Sequence, residues 1–389
     1  MNKKNSNRIK FGIYTSALLM MGAIGISSSL SSIGAHFKNA SQTLITSLIA
    51  VPCLVVIPVT LISGALMNYI SKKHLLLAGI FFFLTGGVLP AFCISFEAIL
   101  LFRGIFGIGI GLIQTLNSAL IAEYFDGSEK DSVQGNATSA QMMGCIIMSF
   151  IGGRLGTRAW NHVFFVHLLA ILSLLIVALY IPSSTRQISP PKNKQKNHSK
   201  GKLTPLTWFW AFACMLFFIA AQTYSNSLSF LITEKGLGNA SQSGNSLAFF
   251  ALGGFLMGLS FGKLMGIFKK LTLSFSFLLL AVSYLIIAFS GSMICIYVGS
   301  IIAGLSVSAA MACIMVESGN SVPIPLSGMA VALATCFQNI GMFLSPYIIT
   351  PMGKIRGESS SQNYYIFLFS AVILVLFSSF FFVWGRHKN

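Results

Sequence analysis

The chain has 389 residues, 55% hydrophobic and 8% charged, with a mean hydropathy of +0.80 and a formal net charge of +17. Soluble domains carry about 25% charged residues, and a soluble fold of this composition would expose apolar area on a scale that drives aggregation. The composition excludes an ordinary water-soluble domain and selects the bilayer as solvent.

A bilayer core of about 30 Å is crossed by about 20 mostly apolar residues in a helix. Backbone groups in lipid must be satisfied internally, so spans are helices or a closed barrel. Runs such as Val163 to Ile181 and Tyr365 to Trp384 are continuous rather than alternating, which points to helices. In chain order the apolar runs predict twelve spans, at 11–35, 43–67, 75–94, 98–122, 135–156, 162–182, 206–231, 243–265, 271–290, 294–316, 326–350 and 363–385. The first follows a basic segment (Lys3, Lys4, Arg8, Lys10). The many later spans favour a retained helix over a cleaved signal there.

Lys and Arg set the expected orientation. With the N-terminus inside, the inner segments hold 18 of them and the outer segments 6, and Arg103 lies within a span. Both termini are therefore expected in the cytoplasm, in a multi-pass protein of the cytoplasmic membrane. Basic residues placed in short connectors follow this rule, so the net charge does not indicate a nucleic-acid partner. The stretch from Ser183 to Pro205 carries Arg186, Lys192, Lys194, Lys196, Lys200 and Lys202 and no acid. It reads as a cytoplasmic linker near anionic headgroups. It divides the chain into a six-helix bundle over 1–182, the linker over 183–205 and a second six-helix bundle over 206–389.

The two parts echo each other. Ser27-Ser28-Ser29-Leu30-Ser31 matches Ser225-Asn226-Ser227-Leu228-Ser229, and Gly64-x-Leu66 with Lys72 matches Gly262-x-Leu264 with Lys270, both 198 residues apart. Ala137-Thr138-x-x-Gln141-x-x-Gly144 returns as Ala334-Thr335-x-x-Gln338-x-x-Gly341, 197 residues later. Duplication about a linker places a binding site near the midplane between the repeats. The expected fold class is an all-α membrane protein of two pseudo-symmetric six-helix bundles.

Three motifs carry a family resemblance. Gly64-Ala65-Leu66-Met67-Asn68-Tyr69-Ile70-Ser71-Lys72-Lys73 resembles the loop between helices 2 and 3 of the major facilitator superfamily, with Asn68 in place of its acid, Tyr69 of its Arg and Ser71 of its Gly. Arg103-x-x-x-Gly107-x-Gly109 resembles that family's helix-4 motif, associated with proton-coupled members. Gly144 through Gly152-Gly153 resembles the Gly-rich helix-5 motif of its exporters, without the Gly-Pro pair. The resemblance implies a secondary transporter rather than an enzyme, working by alternating access on a small-molecule substrate, with protons as coupling ion and efflux as direction. Uptake of a small anion or nutrient is the alternative, and a non-transporting receptor or lipid-handling protein on the same fold is a second.

The residues themselves name candidates. An Arg inside a span is expensive and marks function by default; Arg103 would hold an anionic group or tune a proton site, unless it snorkels to the interface. The resembled family lines its cavity with helices 1, 4, 7 and 10, which selects Gln114, Asn117, Gln222, Tyr224 and Asn226; interhelical hydrogen bonding is the plainer reading of the same residues. Gly64, Asn68, Lys72 and Lys73 read as a gating loop whose basic pair caps a helix C-terminus or meets a carboxylate across the two bundles. Gly107, Gly109, Gly144 and Gly341 read as close helix contacts.

None of the eight acids falls mid-span. That leaves a strongly cationic solute without a counter-ion and favours neutral, amphipathic or anionic ones. Glu123 and Glu317 read as helix-end residues, and His167 as a structural histidine or, alternatively, a proton carrier. The seven cysteines show no metal spacing, and no Gly-x-x-x-x-Gly-Lys-Ser/Thr loop is present. No cofactor or metal is expected, and the chain is expected to act as a monomer in the lipid bilayer.

Overall fold

A computed structural model describes residues 3–182, 203–268, 271–323, 326–353 and 362–387. Nearly all of the expected basic linker lies outside the described residues. Among those described, every regular element is helical. The amino-terminal set holds α1 (Lys3–Ala17), α2 (Leu30–His36), α3 (Gln42–Leu66), α4 (Lys72–Val88), α5 (Phe96–Tyr124), α6 (Gly127–Gly156) and α7 (Ala170–Tyr180). The carboxy-terminal set holds α8 (Pro205–Ala221), α9 (Thr223–Glu234), α10 (Ala240–Phe268), α11 (Thr272–Phe289), α12 (Met293–Asn320), α13 (Ser327–Met352) and α14 (Gln362–His387).

Among the described residues, ten segments are long and apolar enough to cross a membrane. Two more stand at the expected fifth and ninth positions. These are α11, apolar but shorter, and α6, whose first half is polar. Helix starts follow local chemistry: Ser41, Ser71, Ser95 and Thr204 each accept a backbone N–H from the first turn, the usual N-cap arrangement. Large apolar side chains such as Leu172, Leu179, Leu259 and Leu376 remain exposed, where lipid is their solvent.

Two of the expected continuous spans are broken. The first runs α1, a 3-10 segment over Gly22–Ser29, then α2. Gly22, Gly25 and three consecutive serines weaken the α-helical ladder there, and mid-helix 3-10 stretches mark hinges. The seventh span breaks at Gln222, between α8 and α9. The sixth begins as a 3-10 segment over His162–Leu169 before α7.

Each set buries its own core. Ile13, Phe83, Phe106, Leu116 and Val166 anchor one, and Phe217, Tyr224, Phe277, Tyr284 and Phe367 the other. The repeat is legible atom by atom. A Cβ built on Gly144 would collide with the Leu18 carbonyl oxygen, and one on Gly341 with that of Met215. Both members of each pair are 197 residues from their counterparts. Gly107 approaches the Pro52 carbonyl as Gly304 approaches that of Phe250. Where Gly109 presses α5 against Gly79, the equivalent Ser306 donates to the equivalent Ser276 carbonyl at 2.6 Å. The same packing is reached with glycine in one set and a hydrogen-bonded serine in the other.

Candidate functional site

The two sets meet most closely at the face distal to the chain termini. Ser31 Oγ and Ser229 Oγ lie 2.8 Å apart, and Ser229 Oγ also lies 3.0 Å from the Ser28 carbonyl, to which it donates. Thr233 Oγ1 reaches Ser31 Oγ at 3.1 Å. Ser31 and Ser229 are repeat equivalents, so their contact lies on the pseudo-twofold axis. Nearby, Gln42 Nε2 donates to Asn363 Oδ1 at 2.6 Å, and Asn363 Nδ2 donates to Glu234 Oε1 at 2.7 Å. Between α6 and α10, a Cβ on Gly153 would lie 2.7 Å from the Ala240 carbonyl, and one on Gly244 would collide with that of Ser149. Small residues bring these backbones together and close the distal face.

The terminal face is different. A Cβ on Gly64, Gly258, Gly262 or Gly328 would meet nothing within 4 Å. Gly64 and Gly328 sit at the terminal ends of α3 and α13, and Gly258 and Gly262 in the terminal half of α10. Gly64 and Asn68, expected in a gating contact, are not packed against the other set here. Lys72 Nζ bonds Glu123 Oε2 at 2.7 Å, and Lys73 Nζ donates to the Ala178 carbonyl in the last turn of α7 at 2.7 Å. The expected helix cap is present. The carboxylate partner is within the same set rather than across the two, because α4 starts beside the end of α5. Glu123, expected as a solvated helix end, is held in this pair.

Arg103 does not snorkel; it is 0% exposed. Its Nε donates to the Leu48 carbonyl at 2.9 Å. That carbonyl would normally accept from residue 52, which is a proline and has no N–H. Arg103 thus fills a vacancy in α3 made by Pro52. Its guanidinium lies over Phe106, 4.0 Å from the ring centroid, and Nη1 and Nη2 are buried without hydrogen-bond partners. His167, also 0% exposed, packs on the same Phe106 ring at 4.9 Å between centroids.

The polar candidates divide by how they are held. With its amide oriented to satisfy both ends, Asn117 donates to Ser16 Oγ and the Ile13 carbonyl at 3.2 Å and accepts from the Ala17 N–H at 3.1 Å, pinning the end of α1. Tyr224 donates to the Ser246 carbonyl at 2.9 Å and stacks on Phe250. Asn226 Nδ2 reaches Ser345 Oγ at 3.4 Å, while its buried Oδ1 has no partner. Gln222 is the hinge residue between α8 and α9. Gln114 is half-buried, three turns along α5 from Arg103 and on the same face. Arg103 and Gln114 share a face, whereas Asn117, Tyr224 and Asn226 are bound within their sets. Sulfur takes part in the contact between the sets: Cys53 Sγ lies 3.9 Å from Met342 Sδ, and Met142 Sδ would lie 3.5 Å from a Cβ on Gly254; within the carboxy-terminal set, Gln338 Nε2 lies 4.0 Å from Met311 Sδ.

Sequence reasoning missed the seal. The serine repeat was visible, but only the fold shows that Ser31 and Ser229 touch. Tyr284 was also missed; its hydroxyl lies 2.8 Å from the Ala221 carbonyl and 3.2 Å from that of Ala220, at the α8–α9 break.

The chain matches the family described as Major Facilitator Superfamily over residues 11–346. Over 119 residues it is 24% identical to the multidrug transporter protein MdtP of Bacillus subtilis (strain 168), a stretch covering 30% of this chain and 22% of that protein. The match therefore spans about a fifth of that curated relative's length. Among solved structures, the nucleoside transporter NupG superposes with a TM-score of 0.78 at 13% identity, covering 96% of this chain and 100% of that one. A bacterial homologue of the human lysosomal transporter Spinster, solved inward-facing and occupied, superposes with a TM-score of 0.76 at 17% identity, covering 99% and 98%. At these identities the superpositions speak to the fold alone, while the family match runs through most of the chain. The chain belongs to the Major Facilitator Superfamily.

Proposed function

We propose that this protein is a secondary active transporter of the cytoplasmic membrane, with both termini in the cytoplasm. It exports small neutral, amphipathic or anionic organic compounds by alternating access, driven by the proton gradient. The observation that carries this reading is the asymmetry of the two faces. The repeats touch on their own pseudo-twofold axis at the distal face, while Gly64, Gly258, Gly262 and Gly328, toward the terminal face, meet no neighbour. A bundle sealed at one end and open at the other is one of the two states that rocking of two repeats about a central site requires. With the termini inside, this is the inward-facing state.

The residues at and near the contact between the sets support the solute class. Methionine and cysteine sulfur is soft and adaptable and suits a range of apolar surfaces. Arg103 is the cation of the interior, and among the described residues no acid is buried. The short stretch shared with a multidrug transporter supports export.

The test is reconstitution in proteoliposomes with an imposed pH gradient, using a neutral dye (Nile red), an anionic dye (carboxyfluorescein) and a cationic one (ethidium). The reading expects gradient-driven movement of the neutral or anionic dye and none of ethidium. Movement of ethidium alone overturns the solute class. Gradient-independent flux overturns proton coupling, and no flux of any probe supports a non-transporting receptor.

A further inference from the structure

The apolar side chains of the sixth span fall in a row. Phe165, Leu168, Leu172 and Leu175 follow one another at spacings of three, four and three residues, which keeps them on one side of the 3-10 segment and of α7. With Ile151 of α6 they line an open groove of about 420 Å³. Every lining side chain is apolar, and Leu168, Leu172 and Leu175 are exposed. That volume is in the range of small-molecule sites, about 300–1,000 Å³, but such sites carry polar groups that fix the ligand's orientation. The walls of this one carry none. From Phe165 to Leu175 the span advances about 15–18 Å, the depth of one leaflet of a bilayer core of about 30 Å. A groove of this length and lining fits a hydrocarbon chain.

Charge stands at the distal end of the groove. α6 runs from Ile151 to its end at Gly156, and Arg154 and Arg158 follow Ile151 at three and seven residues, the spacing of one helix face. Both are exposed, and among the described residues neither is paired with a carboxylate. Like charges one turn apart repel, so an anion between them relieves the pair. An Arg near the end of a span ordinarily extends outward to the interface. Arg154 instead lies back over Phe150, its guanidinium carbon 3.4 Å from the ring centroid. That carries the charge along α6 toward the turn that holds Ile151.

We propose that this groove holds one acyl chain of an anionic glycerophospholipid, whose headgroup phosphate is bound by Arg154 and Arg158. A guanidinium fork donates two parallel hydrogen bonds to phosphate oxygens, and the Phe150 ring beneath Arg154 fixes one fork in place. Apolar walls at the depth of the hydrocarbon and two unpaired cations at the depth of the headgroups match the two ends of one lipid molecule. Neither end alone selects it: the groove accepts any acyl chain, and the arginines accept any phosphate. Together they favour an anionic phospholipid over a zwitterionic one, in which a cation beside the phosphate opposes the arginines. The site does not depend on the direction of transport or on proton coupling.

The test is photocrosslinking of the protein in lipid nanodiscs, with a phosphatidylglycerol probe that carries a diazirine on its acyl chain and with the labelled residues mapped by mass spectrometry. Labelling is expected at Leu168, Leu172 and Leu175 several-fold above that at other exposed leucines such as Leu259 and Leu376. Phosphatidylglycerol without the diazirine should compete for the groove several-fold better than phosphatidylcholine. Arg154→Gln/Arg158→Gln should abolish that difference between the two lipids, and Arg158→Gln alone, expected to reduce it, serves if the double variant does not fold. Labelling spread evenly over the exposed leucines overturns the proposal. So does equal competition by phosphatidylcholine, or a preference for phosphatidylglycerol that is unchanged in the arginine variant. Glycerol phosphate, which has the phosphate and no acyl chain, should leave the probe in place. Its displacement of the probe would assign the arginines to a soluble anion and overturn the lipid site.

Discussion

Ser31 and Ser229 occupy the same place in the two repeats, 198 residues apart, and their hydroxyl oxygens lie 2.8 Å from each other. Residues related by a twofold axis can touch only on that axis. The pair therefore marks where the repeats pivot together and what must part when the distal face opens. Each hydrogen bond contributes about 1 kcal/mol net. Replacing both serines by alanine removes the contacts that Ser31 and Ser229 make with each other, with Ser28 and with Thr233, and should move the equilibrium several-fold toward the distal-open state. Distances between spin labels at the distal ends of α2 and α9 would report the shift.

Gly144, expected at a close helix contact, and Gly64, expected in the gating loop, should respond oppositely to a methyl group. A methyl on Gly144 collides with the Leu18 backbone, whereas one on Gly64 meets open space. Overpacking against backbone costs about 1–3 kcal/mol or more. Gly144→Ala should lower the melting temperature of the detergent-solubilised protein sharply, with Gly341→Ala behaving alike. Gly64→Ala should leave it nearly unchanged; any loss of transport in that variant would report the other state, in which the terminal face closes.

Arg103 and Pro52 should be energetically coupled. The guanidinium satisfies the carbonyl that Pro52 deprives of its partner. Pro52→Ala restores the missing N–H, so the Nε bond becomes dispensable. Arg103→Met should cost about 1 kcal/mol more stability with Pro52 present than in the Pro52→Ala background, the size of one hydrogen bond to a buried carbonyl. A double-mutant cycle on thermal unfolding measures this. In the Pro52→Ala background, Arg103→Ala should still abolish dye efflux while inserting normally. Wild-type flux in that variant would remove Arg103 from the transport pathway.

The terminal ends of α1 and α6 are joined by an exposed pair. Lys10 Nζ lies 2.7 Å from Glu129 Oε1, and hydrogen bonding to Lys10 holds that carboxyl below the usual range. A depressed carboxyl stabilises the fold above its unfolded value and loses that contribution as pH falls through its folded value. The acid limb of a stability–pH curve should therefore flatten slightly in Lys10→Met, and screening by salt should shrink the difference.

Much of this architecture was legible in the sequence. Apolar runs and their basic punctuation set the order of the spans, and the matched Gly144 and Gly341 motifs proved to be matched backbone contacts. Asn117 and Tyr224 looked like cavity residues because polarity within a span was the visible signal. Polarity alone does not distinguish a side chain facing a cleft from one bound to a neighbouring helix. The breaks at Gly22–Ser29 and Gln222 fall inside single expected spans, and hydropathy averaged over a whole span does not resolve them. Lys72 pairs with Glu123 inside its own set because the approach of α4 to the end of α5 is a tertiary fact, and the link between Arg103 and Pro52 joins positions far apart in the chain.

The account depends on the distal seal opening and closing during each cycle. The direct measurement is dye efflux by the Ser31→Cys/Ser229→Cys protein in proteoliposomes, before oxidation, after oxidation and after reduction. The account predicts transport with free thiols, its loss when the disulfide forms and its recovery on reduction. Full efflux by the fully crosslinked protein would contradict it.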